Sequence, residues 1–105
     1  EDWHALGAAY LAYGYFPEGA ACLEHANSLK PNDAIILSDW ARCEERFGRL
    51  KEANQHYEQA ARIDPTGVGR NNWYRIGRNQ LRMEDASSAE ASFRRALPLI
   101  TAQHE

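Results

Sequence analysis

The sequence predicts an all-α chain of about six helices, arranged as three consecutive helical hairpins that stack into a solenoid. Three observations lead there. Ala26, Ala60 and Ala96 stand 34 and 36 residues apart, and Leu23, Tyr57 and Phe93, each three positions earlier, keep the same two spacings. Between these markers apolar residues recur at three and four, the spacing that gives a helix one apolar stripe. No strand pattern competes with this helical spacing. A period of this length sets the whole architecture, because a unit that cannot bury its apolar face alone must stack on its neighbours.

The elements follow in order. A first helix over 2–14 carries Trp3, Leu6 and Tyr10 on one stripe, with Gly7 inside it where a small residue lets a partner helix approach, and it ends at Gly14. A second over 17–29 opens on Pro17, which suits a first turn because it has no N–H to leave unpaired, and carries Leu23 and Ala26. Pro31-Asn32-Asp33 breaks the chain, and Asp33 is placed to cap a third helix over 33–47 that carries Leu37, Trp40 and Ala41 and ends at Gly48. A fourth over 50–63 holds Tyr57 and Ala60; Asp64-Pro65-Thr66-Gly67 follows, with Val68 and Gly69 as a two-residue insertion in a flexible linker. A fifth over 70–83 carries Trp73, Ile76 and Gly77, and a sixth over 86–100 carries Phe93 and Ala96. Pro98 should kink or stop the sixth, since a proline inside a helix removes a hydrogen bond and clashes with the previous turn.

Trp3, Leu6, Gly7 and Tyr10 spell W-x-x-L-G-x-x-Y, and Trp73, Ile76 and Gly77 repeat its first three elements 70 residues later; Pro31 and Pro65 are 34 apart. These residues resemble the tetratricopeptide repeat family, whose unit is a helical hairpin of 34 residues. The likeness covers nearly the entire chain, as one domain over 1–105 with repeats at about 1–33, 34–67 and 70–103. Departures are Glu44 and Gln80 in the place of Tyr10, Trp40 in the place of Leu6, and Glu84 in the place of Gly14 and Gly48. The resemblance implies a right-handed superhelix whose concave face, lined by the first helix of each pair, binds a peptide.

Composition narrows the function classes. Charged residues at 26% and aromatics at 10% suit a folded globular chain, and no apolar run reaches the length of roughly 18 residues that a membrane helix needs. No targeting segment is visible, and a cytoplasmic location is weakly favoured. Cys22 and Cys43 read as small buried residues. No nucleophile with its base, metal set or phosphate loop stands out: Cys22 and His25 share a helix face without a second pair, and Gly67-Val68-Gly69 lacks the third glycine of a dinucleotide turn. The expectation is therefore no enzyme, no cofactor and no metal. Glu44, Glu45 and Glu52 with Arg42, Arg46, Arg49 and Lys51 read as a solvated face of alternating sign.

What remains is the groove. Net charge runs from −4 over residues 1–33 through −1 over 34–67 to +2 over 68–105, summing to −3. The face opposite the signature stripe carries His4 and Leu11 in the first repeat, Ser38, Arg42 and Arg46 in the second, and Tyr74, Arg75, Arg78 and Arg82 in the third. These are the candidate peptide-binding residues, on a groove that should run from apolar to basic and suit a protein partner with acidic residues. Where the family resemblance points to the residues that clamp a chaperone tail, this chain has His4, Ala8, Asp39, Asn71 and Arg75; only Arg75 fits, and Asp39 would repel a carboxylate. Two alternatives stand beside the interaction module. One is a regulatory or localising segment of a larger enzyme. The other is single-strand or RNA binding through Arg42, Arg75, Arg78 and Arg82 with Tyr74, against which the acidic first repeat argues. Leu97, Leu99 and Ile100 leave apolar surface after the last repeat, so either the chain is part of a longer array or it self-associates through its C-terminal helix.

Overall fold

The computed structural model describes residues 2–103, the side chains of Arg70 and of 98–103 excepted. Six helices follow one another: α1 Trp3–Ala12, α2 Phe16–Leu29, α3 Ala34–Arg46, α4 Leu50–Ile63, α5 Gly69–Arg82 and α6 Ala86–Gln103. They pair as α1/α2, α3/α4 and α5/α6, and α3 stacks on α2 as α5 stacks on α4, which draws the repeats into a row 39 × 30 × 22 Å in extent. Among the described residues there is no strand.

Local chemistry explains the ends of the helices. Asp2 accepts from the Ala5 N–H at 3.0 Å, and Asp33 accepts from the N–H groups of Ile35 and Ile36. Within each hairpin the turn closes the same way: Tyr15, Arg49 and Asp85 donate their N–H back to the carbonyls of Tyr10, Glu44 and Gln80, with Gly14, Gly48 and Glu84 at positive φ just before them. Glycine reaches φ of 86° and 95° there without strain, whereas Glu84 is held at 61° by the same pair of hydrogen bonds.

The core is made of small residues beneath large ones. Tyr57, Ala41, Ala53 and Ile76 form one buried cluster with Trp73 against it; Leu23, Ala20 and Cys43 form another, flanked by Leu11, Trp40 and Phe47. Both cysteines are buried, and burial pushes the Cys43 thiol up to about 11. Gly7 earns its place by contact, since a Cβ there would lie 2.6 Å from Cγ of Leu23.

Four sequence expectations change. The Val68-Gly69 insertion is an ordered turn: Val68 packs against Ala34, Leu37 and Ala60, Gly69 opens α5, and Gly67 donates to the Asp64 carboxylate. Apolar contact for Val68 and a bonded N–H for Gly67 are what hold it. Second, α6 does not stop at Pro98; the carbonyl it frees is that of Arg94, an exposed residue that water can serve. Third, Glu44 and Glu45 are buried, each 5% exposed. Glu44 bonds Nδ1 of His56 and Glu45 meets Arg78, so each carboxylate has a partner instead of solvent. Fourth, Glu44 and Gln80 in the place of Tyr10 face their own hairpin partners, Glu44 bonding His56 and Gln80 accepting from the Ser92 hydroxyl at 2.7 Å. The side chains of Leu99 and Ile100 lie outside the described residues.

Candidate functional site

The first helices α1, α3 and α5 lie side by side and line two adjoining cavities. The larger, of about 550 Å³, is walled by Ala8, Leu11 and Ala12 of α1, by Phe16 at the start of α2, and by Asp39, Arg42 and Arg46 of α3. The smaller, of about 230 Å³, shares Leu11, Arg42 and Arg46 and adds Glu45, Arg75 and Arg78. Together they form one groove with an apolar α1 wall and a basic α3/α5 wall. Four arginines against one glutamate leave the smaller cavity with a surplus of positive charge.

The helical period puts Arg42, Glu45 and Arg46 on one face of α3, and Arg75 and Arg78 on the facing side of α5. Each guanidinium is held. Arg78 donates to the nearly buried Glu45 at 3.1 Å, and Arg42 lies 3.6 Å from Asp39. Arg75 donates to Asn72 at 3.1 Å and sits over the Tyr57 ring; Arg46 lies 4.8 Å from the centre of the Phe16 ring. Arg42 and Arg78 remain about half exposed, so a ligand can reach them. Beneath the arginines, burial and then the Glu45 charge push the Tyr57 hydroxyl upward, and it stays a neutral phenol.

Of the expected groove residues, Leu11, Arg42, Arg46, Arg75 and Arg78 come together. His4 sits above them on α1, bonded through Nε2 to Asp39 at 3.0 Å. Ser38 does not line the groove: it is buried, and its hydroxyl accepts from Asn72 Nδ2 at 2.9 Å, because α5 packs over that turn of α3. Tyr74 and Arg82 line neither cavity; the Tyr74 ring leans on Phe93 of α6, with ring centres 5.7 Å apart, and the Arg78 guanidinium lies over it at 6.0 Å. Asn72, absent from the expected set, is fully buried and ties Ser38, the Tyr57 carbonyl and Arg75 together. It stands next to Trp73 in a stretch that reads as ordinary polar surface, and only the packing of α5 on α3 and α4 reveals it. Among the described residues no group of three or more His, Cys, Asp and Glu is placed to hold a metal ion, and no helix is long and apolar enough to cross a membrane.

No family model and no curated protein sequence matches the chain. Solved structures do. MamA residues 41 to the end from Desulfovibrio magneticus RS-1 superpose with a TM-score of 0.90 at 18% identity, over 98% of this chain and 57% of that one. PcrH in complex with the chaperone binding region of PopD gives 0.89 at 22% identity, over 95% of this chain and 74% of PcrH. The second TPR of Spaghetti (RPAP3), bound to the HSP90 peptide SRMEEVD, gives 0.83 at 16% identity, over 92% and 88%. This chain thus spans little more than half of the MamA chain. It has the tetratricopeptide-repeat fold.

Proposed function

We propose that this tetratricopeptide-repeat unit is a non-catalytic protein-interaction module that holds a peptide segment of a partner along the α1/α3/α5 groove, with acidic side chains of the segment set against Arg42, Arg46 and Arg75. The observation that carries this reading is the groove itself: an apolar wall at Ala8, Leu11 and Ala12 faces an arginine wall whose charge Glu45 offsets only in part. A segment with an apolar anchor beside one or two carboxylates matches both walls, and charge-assisted contacts to arginine are the strong ones. Two of the structures that share the fold are in complex with a segment of another protein: PcrH with a region of PopD, and the second TPR of Spaghetti with SRMEEVD, a peptide that carries three acidic residues. The groove here differs from a site built for a terminal carboxylate in having Asp39, engaged by His4 and Arg42, on its floor.

Fluorescence anisotropy with a labelled peptide of alternating leucine and glutamate, and with its glutamine counterpart, tests the reading. The acidic peptide should bind at low salt and the glutamine peptide about tenfold or more weakly, since one charge-assisted hydrogen bond contributes roughly 1.5–3 kcal/mol. Arg42→Glu with Arg75→Glu should abolish the difference. Equal binding of the two peptides, or a preference that survives the double substitution, rules the groove assignment out.

A further inference from the structure

Glu45 is the one carboxylate in the wall of the smaller cavity, and half of it lacks a hydrogen-bond partner. Its side chain is only 6% exposed; Oε1 accepts from Arg78 at 3.1 Å, while Oε2 is buried with no donor among the described residues. The Tyr57 hydroxyl, also buried and unpartnered, does not line the cavity and makes no bond to Glu45. Leaving a buried carboxylate oxygen without a donor is costly, because the ionised group can only accept. Arg42 and Arg78, which line the same cavity, are about half exposed on long flexible side chains, so a group that enters can part them and meet Oε2.

The surroundings select what fills that position. A cation would donate to Oε2, but it would enter among the guanidinium groups of Arg42, Arg46, Arg75 and Arg78, which oppose its charge. A carboxylate suits the arginines, yet it has no hydrogen to give and would set its charge against that of Glu45. Both demands are met by an uncharged group with an N–H to donate and an oxygen to accept. A primary carboxamide carries these on separate atoms, with two N–H donors on nitrogen and two lone pairs on oxygen. We propose that the smaller cavity is a subsite for the side-chain carboxamide of an asparagine or glutamine in the bound segment. Its N–H donates to Oε2 of Glu45, and its carbonyl accepts from one of the arginines that line the cavity. Such a site discriminates sharply, since a ligand without the matching donor leaves the buried oxygen unpaired. The inference rests on the peptide-binding reading of the groove and adds that the segment is mixed, acidic along the arginine wall and amide-bearing at Glu45.

Anisotropy on the whole chain tests it, with the labelled peptide of alternating leucine and glutamate as reference and a set in which one glutamate at a time becomes glutamine. A groove that read only negative charge would bind every member of the set more weakly. At least one member should instead bind about tenfold more tightly than the reference, because a charge-assisted hydrogen bond replaces a repulsion. Serine or lysine at that position should bind more weakly than glutamine. Glu45→Gln keeps one oxygen for Arg78 and turns the other acceptor into an N–H donor, so with this variant, its helicity unchanged, the preference at that position should return to glutamate. The peptide series uses the parent chain, so the proposal stands or falls on it even where the variant does not fold. A reference that binds while every glutamine replacement is neutral or weaker is what a backbone N–H at Oε2 would give; it overturns the carboxamide subsite and leaves the groove reading standing. Serine or lysine as tight as glutamine, or a glutamine preference that survives Glu45→Gln, overturns the subsite as well. A reference that does not bind at all overturns the groove reading and this one with it.

Discussion

Gly7 and Gly77 occupy the same place in the first and third repeats, and alanine at each should have opposite consequences. On helix propensity alone both changes gain about 1 kcal/mol, since each glycine lies inside a helix. The added Cβ meets a neighbour at 2.6 Å in both cases: Cγ of Leu23 for Gly7, Cε1 of Phe93 for Gly77. The neighbours differ in their freedom to move. Leu23 is fully buried among Ala20, Cys43, Leu11, Trp40 and Phe47, and its Cγ cannot retreat without displacing α2. Phe93 borders an open recess between α5 and α6, and the atoms struck are the far edge of its ring. Overpacking a closed site costs about 1–3 kcal/mol, and the Gly7 overlap is severe enough for the upper part of that range. Net of propensity, Gly7→Ala should lose about 2 kcal/mol, while Gly77→Ala should stay within about 0.5 kcal/mol of the parent, the ring having swung outward. Urea unfolding followed by circular dichroism measures both, and for a domain of this size the difference corresponds to about 8–16 °C in Tm. A Gly7→Ala protein as stable as the parent, or a Gly77→Ala protein that loses as much as Gly7→Ala, would show that the freedom of the struck side chain does not decide the cost.

Other outcomes follow from the same packing. Glu84→Gly should stabilise by about 1 kcal/mol, since glycine takes the positive φ of 61° without the Cβ conflict; a loss in thermal midpoint would mean that the Glu84 side chain does more than close a turn. Asn72→Ala should cost about 2–4 kcal/mol, well above Ser38→Ala at about 1 kcal/mol, because it removes the donor to the buried Ser38 hydroxyl and a second bond to the Tyr57 carbonyl as well as opening a void, and denaturant midpoints of the pair check the order. Ala60→Leu, at a fully buried position between α3 and α4, should lose about 1–3 kcal/mol, and an unchanged urea midpoint would contradict the close helix crossing there. Asp33→Ala should cost about 1 kcal/mol at neutral pH. Partial burial works against the Asp33 charge, but the N–H of Ile36, Lys30 and the N–H of Ile35 outweigh it and hold the carboxyl below its ordinary 3.8. A group with a lowered folded value contributes fully above the unfolded value and loses that contribution as the pH falls through the folded one. The parent and Asp33→Ala should therefore converge in stability in acid, and a gap that persists once the carboxyl is protonated has another origin.

The repeat was legible in the chain because periodicity is a one-dimensional property. Once Leu23, Tyr57 and Phe93 recur with Ala26, Ala60 and Ala96, six helices and their order follow, and glycine, proline and aspartate mark most of the ends through rules that act within four residues. The same periodicity places Arg42, Arg46, Arg75 and Arg78 on one face of the row, because the direction of a side chain around a helix is set by its number. Other features depend on distances between elements that the period does not encode. Glu44 and Glu45 read as surface charges until the packing of α4 and α5 supplies His56 and Arg78. Ser38 reads as a groove hydroxyl until Asn72, 34 residues away, covers it. Val68 reads as loop until the gap beside Ala34, Leu37 and Ala60 takes it in. In each case a polar or apolar side chain is neutral about its environment in sequence, and its partner, brought from another helix by the stacking of the repeats, decides whether burial is tolerated. The sequence by itself thus determined the units, their direction and the sign of the groove, through interactions that repeat every turn or every 34 to 36 residues. The tertiary structure decided which charges are free to meet a ligand, because that depends on the three-dimensional approach of helices whose contacts no period specifies.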